Sequence, residues 1–233
     1  MMFRRTFFVL SSFLIINIYA LWAGDSASFA DLGFSPDGAI FTFAQYGVKS
    51  SELRPWAEMF IVDVARNTFV SGGKIAYTHD RSIDAGQDGV GALYHVIARN
   101  AELVKRHNVE HLNQGLPLYI ALEGDPAYEG KTITFRDFIS GISYRANVVE
   151  RLSGNGANLQ SQFYIKLTSV DSDGSTKNFT IGTPGLERPS ILSYRIKKVL
   201  IAPSGDSLIF VIEMKRHAES GPDIRYMVEA LRF

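Results

Sequence analysis

Gly33-Phe-Ser-Pro-Asp-Gly-Ala-Ile-Phe-Thr-Phe-Ala-Gln-Tyr-Gly47 and, after a polar insert, Trp56-Ala-Glu-Met-Phe-Ile-Val-Asp-Val64 carry the reading that decides the fold. Proline presets φ for a tight turn and glycine takes positive φ, so Pro36, Asp37 and Gly38 read as a structural turn that launches a strand. Ile40, Phe41 and Phe43 against Thr42 and Gln45 give a partly alternating strand. Met59–Val64, interrupted only by Asp63, is a continuous apolar run of the kind buried on both faces. The whole of 33–64 is therefore expected to be a β-hairpin.

Working outward, the same grammar returns at 202–228. Ala202-Pro-Ser-Gly205 precedes the apolar run Leu208–Ile212, and a polar stretch leads to Ile224-Arg-Tyr-Met-Val228. Aligning Pro36 with Pro203 also aligns Gly38 with Gly205 and Phe43 with Phe210, while Ser204 stands where Asp37 does. Between the two copies the period changes once. Val90, Leu93, Tyr94, Ile97, Ala98, Ala101 and Val104 recur at three- and four-residue spacing, which predicts one amphipathic helix over 88–107 with Asp88 as its N-cap. Ser71-Gly72-Gly73 reads as a turn and 74–79 as a short strand.

Beyond Gly115 come strand candidates at 118–122, 132–138, 142–149, 162–170, 177–181 and 191–201, punctuated by turn residues. No linker divides 24–233. The expectation is one mainly β domain: an antiparallel meander, a sandwich or a partial propeller-like arrangement.

The chain of 233 residues is 46% hydrophobic and 21% charged, the composition of a folded protein. Lys+Arg and Asp+Glu both total 24, so no basic excess points to nucleic acid. Arg4 and Arg5 precede an apolar run from Thr6 to Ala23, which reads as an export signal cleaved after Ala23; the run also matches the shortest membrane span of roughly 17 residues, so an uncleaved anchor is the alternative. The chain is thus expected to be secreted or periplasmic, with no membrane contact once the signal is removed. Cysteine is absent, which excludes disulfides, thiolate metal sites and a cysteine nucleophile.

Ser35-Pro-Asp-Gly38 followed by a strand, and then the Phe60-Ile-Val-Asp63 strand, resembles the repeat unit of TolB-type β-propeller proteins. That resemblance implies a propeller rim binding a peptide or protein partner, although only two copies of the unit are visible. The order of features also resembles a family of predicted secreted proteins of unknown function. What carries this likeness is the signal followed by Leu32-Gly-Phe-Ser-Pro-Asp-Gly38, Phe43-Ala-Gln-Tyr-Gly47, Ala57-Glu-Met-Phe-Ile-Val-Asp-Val64 and Phe69-Val-Ser-Gly-Gly73. Membership implies export and brings no catalytic residue with it.

Among chemical candidates, His107-Asn-Val-Glu110-His111 has the spacing of the inverted zinc peptidases, in which two imidazoles on one helix face hold zinc and the glutamate activates water. The motif falls where the helix ends, and a third ligand from Glu123, Glu150 or Glu187 is not selected by any pattern. Asp171-Ser-Asp173-Gly-Ser175 opens like a calcium loop, but its twelfth position is Gly182 in place of glutamate. His79, Asp80, Ser82 and Asp84 lack a nucleophile elbow, and Asn178-Phe-Thr180 is a glycosylation sequon. The terminal Phe233 gives an aromatic-ended last strand of outer-membrane-barrel type, against which stand Arg136, Asp137, Arg145, Lys197 and Lys198.

These observations predict an exported, non-catalytic β protein that binds an unidentified protein or peptide. No catalytic residue, metal or cofactor is expected, and the structural turns lie at Pro36, Asp37, Gly38, Pro203 and Gly205. The alternatives are a zinc hydrolase using His107, Glu110 and His111, and an outer-membrane barrel.

Overall fold

A computed structural model describes residues 24–122, 130–218 and 221–233. The export signal, and Glu123 with it, lie outside the described residues. Sheet I is the meander β1 (Ser28–Phe34), β2 (Ile40–Lys49), β3 (Arg54–Asp63) and β4 (Thr68–Thr78). Two short helices follow, α1 (Val90–Arg99) and α2 (Ala101–Arg106), and then β5 (Leu116–Ile120). Sheet III comprises β6 (Thr132–Arg136), β7 (Ser143–Ser153), β8 (Gln160–Val170), β9 (Thr176–Ile181) and β10 (Arg188–Pro189). Sheet II takes β11 (Ile191–Ile201), β12 (Ser207–Arg216) and β13 (Asp223–Arg232), with β5 on the outer side of β11. Every strand pair in these sheets is antiparallel.

Side-chain alternation dictates how the layers stack. In β12, Leu208, Phe210 and Ile212 pack with Phe163, Ile165 and Leu167 of sheet III. Their neighbours Ile209 and Val211 pack with Phe34, Phe41, Phe43 and Val62 of sheet I. Sheet II is therefore the middle layer, and β12 is buried along both faces as its unbroken apolar run requires. The far side of sheet I presents Leu32, Ala44, Ala57 and Met59, and Ala92, Leu93, Val96 and Val104 of the helices cover it. In β11 a register shift between Ile196 and Lys198 lets Ile196 and Val199 face the same core although they are three residues apart.

The two hairpins of like sequence face each other across the core between sheets I and II. Their turns close alike: Gly38 N–H donates to the Ser35 carbonyl at 2.9 Å, and Gly205 N–H to the Ala202 carbonyl at 2.8 Å. The likeness stops at these two sheets, because no hairpin turn of sheet III, at 137–142, 154–159 or 171–175, contains proline. Sheets I and II are tied by Gln45 of β2, whose Oε1 accepts the Tyr226 N–H of the edge strand β13 at 2.7 Å while its Nε2 donates to Glu58 at 2.7 Å.

Four sequence expectations are corrected. The sheets are open, so the outer-membrane barrel is excluded; Phe233 is half-exposed and lies against Phe179 and Tyr144, with ring centroids 5.9 and 6.5 Å away. The helix over 88–107 breaks at Asn100, whose side chain donates back to the Val96 carbonyl at 2.7 Å. The N-cap is Gly89 and not Asp88, although the Asp88 carboxylate still accepts the first helical N–H, that of Val90, at 3.0 Å. Ser71-Gly72-Gly73 is a bulge inside β4, where Phe60 pairs with Lys74 but Val62 pairs with Phe69. Gly72 takes φ 71°, and a Cβ on Gly73 would lie 2.8 Å from the Ile61 carbonyl oxygen.

Candidate functional site

The His-x-x-Glu-His segment is positioned by the end of α2. His107 is the C-cap, and Asn108 adopts φ 51°, the left-handed conformation that asparagine tolerates. Val109 N–H then bonds the Val104 carbonyl at 3.2 Å and Asn108 N–H the Lys105 carbonyl at 2.9 Å. This is a Schellman cap, completed by the contact of Val109 with the core around Val104. The chain leaves the helix at the first histidine, so His107 and His111 are not stacked on one helical face as the zinc motif needs.

After the cap the segment pairs with the end of β1. Glu110 N–H donates to the Phe34 carbonyl at 3.0 Å, and Phe34 N–H donates to the Asn113 carbonyl at 2.8 Å. Gly33, at φ 93°, makes the approach possible, since a Cβ there would collide with the Glu110 carbonyl. The Nδ1 of His111 lies 2.7 Å from the Leu32 carbonyl oxygen and is committed to backbone. Among the described residues no group of three or more His, Asp or Glu side chains is close enough to hold a metal ion. Of the nominated third ligands, Glu150 accepts from Lys131 at 2.9 Å and from the Tyr194 N–H at 3.2 Å, while Glu187 accepts from Gln162 at 3.5 Å.

What the segment does build is a groove of about 770 Å³ between the α2 cap and the β1–β2 turn. Ile40, Ile97, Val104 and Val109 supply apolar lining, while Lys105, Arg106, Asp37 and Glu110 supply charge. The structure thus brings the Pro36-Asp37 turn and the His107–His111 segment, two separate features of the sequence, into one wall-to-wall site. Asp37 is held ionised: hydrogen bonds from the Ser35 hydroxyl at 2.6 Å and the Ala39 N–H at 3.1 Å draw its carboxyl below the usual range. The second turn, at Pro203 and Gly205, repeats the serine–aspartate bond with Ser204 and Asp206 at 2.5 Å but does not line the groove.

A smaller cavity of about 330 Å³ lies on the other flank of α1. The Tyr77 hydroxyl is 2.9 Å from His79 Nδ1, and the His95 ring stacks on Tyr77 with centroids 4.1 Å apart. Sequence reasoning singled out His79 and missed Tyr77 and His95, because their meeting depends on how α1 lies on β4. Of its other nominees, Asp80 has its carboxylate 3.3 Å from the same His79 nitrogen, and none of Asp80, Ser82 and Asp84 lines this cavity. Asp171–Ser175 closes the β8–β9 hairpin, with Gly174 N–H donating to the Asp171 carbonyl at 3.0 Å.

Glu229 was also missed. It is buried on β13 where the three sheets meet, accepting from Asn67 of the β3–β4 turn and standing 3.5 Å from Arg188 of β10. Burial pushes its carboxyl up, with Asn67 and Arg188 opposing. Nothing in a single sequence marks such a group.

No helix among the described residues is long and apolar enough to cross a membrane. No curated protein matches the chain. The family described as "Predicted secreted protein (DUF2259)" matches residues 42–232, most of the sheets and both helices, and the chain belongs to that family.

Proposed function

We propose that this is an exported, non-catalytic binding protein, released by cleavage after Ala23 to the periplasm or the exterior, which holds an extended segment of a protein partner in the groove between the α2 cap and the β1–β2 turn. The observation that carries the reading is the groove's construction. Both walls are fixed by backbone hydrogen bonds, the lining is partly apolar, and charges of both signs ring it, a combination that suits a peptide main chain with mixed side chains. A preformed site also avoids the ordering cost that weakens mobile ones.

The test is photo-crosslinking in the producing cells from a reactive residue placed at Lys105 or Glu110, with Asn178 on sheet III as the control position. Both groove positions are expected to capture the same protein, through neighbouring residues of one segment, and Ile40→Asp is expected to abolish capture. Stoichiometric zinc lost in His107→Ala, together with peptide hydrolysis, would overturn the reading in favour of a zinc hydrolase.

A further inference from the structure

Sheet III turns one face to sheet II and, among the described residues, leaves the other bare. Register fixes what the bare face carries. Arg136 pairs with Ser143, Ser143 with Val170, and Val170 with Thr176; Thr134 pairs with Arg145, Arg145 with Thr168, and Thr168 with Asn178. Asn147 pairs with Lys166 and Arg151 with Gln162 along the same side. Because directly paired residues share a face, Arg136, Arg145, Arg151 and Lys166 all point outward, and all four are exposed. No aspartate or glutamate shares that face on these strands. In a chain with equal numbers of acids and bases, this is a marked segregation of charge.

At the end of the face, beside Arg136, the β6–β7 turn presents Phe138 and Ile139, which are 87% and 84% exposed. The turn is firmly held. Asp137 is buried, and its carboxylate accepts the Ile139 N–H at 2.8 Å and the Ser140 hydroxyl at 2.6 Å. Burial opposes its ionisation, but these bonds prevail and hold the carboxyl below the usual range. Backbone bonds from Asp137 N–H to Ile142 and from Gly141 N–H to Asp137 close the loop at 2.9 and 2.8 Å. The Arg136 guanidinium lies 5.9 Å from the Phe138 ring centroid. Two acids stand on the neighbouring β8–β9 turn. Asp171 is offset by Lys177 at 4.0 Å, and Asp173 accepts the Ser175 N–H at 2.8 Å.

We propose that the bare face of sheet III docks on an anionic lipid bilayer, with Phe138 and Ile139 inserted at the headgroup boundary and Arg136, Arg145, Arg151 and Lys166 against lipid phosphates. Arg145 and Arg151 are separated by six residues of β7, about 20 Å, so the cations track along the surface while the apolar tip enters at one end. An apolar insertion plus several cations is the combination that gives stable peripheral attachment, each element alone being weak. A soluble polyanion would use the cations and leave two adjacent, rigidly presented apolar side chains unexplained. Single-stranded nucleic acid would need a row of stacking rings, and among the described residues the strands of this face carry the half-buried Tyr164, with Phe138 standing apart at the turn. This inference is independent of the groove, and it departs from the expectation that the exported protein has no membrane contact.

The test is co-sedimentation of the protein, purified after export, with vesicles of phosphatidylcholine alone or mixed with phosphatidylglycerol. Binding is expected only to the mixed vesicles, weakening as salt rises and the Debye length falls from about 10 Å at 0.1 M. Phe138→Ser with Ile139→Ser, and separately Arg145→Gln with Arg151→Gln and Lys166→Gln, should each lower partitioning about tenfold or more. All five side chains are exposed, and circular dichroism checks that the fold is kept. As an independent readout, Phe138→Trp should shift its emission to the blue on mixed vesicles. Equal binding to both vesicle types, variants that bind like the parent, or no shift from the tryptophan would overturn the proposal. So would loss in the charge variant alone, accompanied by binding to a soluble acidic polysaccharide.

Discussion

Sheets I and III flank the same middle sheet, yet they treat their outer sides oppositely. Sheet I offers Leu32, Ala44, Ala57 and Met59, and the two helices lie over them. Sheet III offers threonine, asparagine, arginine and lysine, and nothing among the described residues lies over them. The difference is written in the strands. In β3 Met59, Phe60, Ile61 and Val62 run on without alternation, and a strand with no polar side needs cover on both. In β8 the alternation is clean from Ser161 to Val170, and such a strand needs a partner on one side only. Where a β layer is to be covered is therefore decided residue by residue, before any helix docks on it.

The largest effect should come from the covered side. Met59 is fully buried between β3 and α1, and Met59→Ala removes packing on a side from which water is excluded. A loss of about 2–5 kcal/mol is expected in urea unfolding. A loss below about 1 kcal/mol would mean that the helices are a loose lid and that the two outer sheets are alike after all.

A second contrast separates the two sides of sheet III itself. Tyr144 faces inward, stacked on Phe135 at 5.1 Å, and burial, with the charges of Asp137 and Asp171, pushes its hydroxyl up to about 12. An unfolded tyrosine ionises near pH 10. Between these values the unfolded chain has released the proton and the native one still holds it, so stability falls as pH rises from about 10 towards 12. The loss attributable to this residue reaches about 2–3 kcal/mol. Tyr144→Phe should flatten the alkaline limb by that amount in unfolding titrations while changing stability at neutral pH little. An unchanged alkaline limb would show that the inner side admits charge as readily as the outer one.

Much of this contrast was legible in the sequence, and the reasons differ from element to element. The strand pairs β2–β3 and β12–β13 followed from two apolar runs separated by a polar insert, while Pro36 and Pro203 lie in the turns that precede them. The double burial of Met59–Val64 followed from an apolar run that Asp63 alone interrupts. The helix was legible from its period, but its break at Asn100 was not, because that depends on one side chain bonding the preceding turn. Gly72-Gly73 misled because the same two glycines that make a turn also make a bulge, and only the pairing of Phe60 with Lys74 tells them apart. His107–His111 matched a motif whose chemistry needs a continuing helix, and the left-handed Asn108 ends it. The groove, Glu229 and the cationic face each join residues far apart in the chain. Arg136, Arg145 and Lys166 become neighbours only through the register of β6, β7 and β8, which no local pattern discloses.

The smallest predicted effect is also the one that most sharpens the contrast. Arg145 stands diagonally to Arg136 on β6 and to Lys166 on β8, at the roughly 7–8 Å typical of such positions. That is inside the Debye length of about 10 Å at 0.1 M salt, so the three cations repel one another in the folded state. They have more room to separate once unfolded. Arg145→Gln should therefore raise stability by a few tenths of a kcal/mol at low salt, and the gain should vanish at high salt, measured as the shift in urea midpoint at the two ionic strengths. A loss of stability instead would mean that Arg145 is part of the packing, as Met59 is on sheet I. A salt-sensitive gain would mean that sheet III keeps like charges together at a cost to its own folding. The return on that cost must then be sought in contact with something anionic outside the chain.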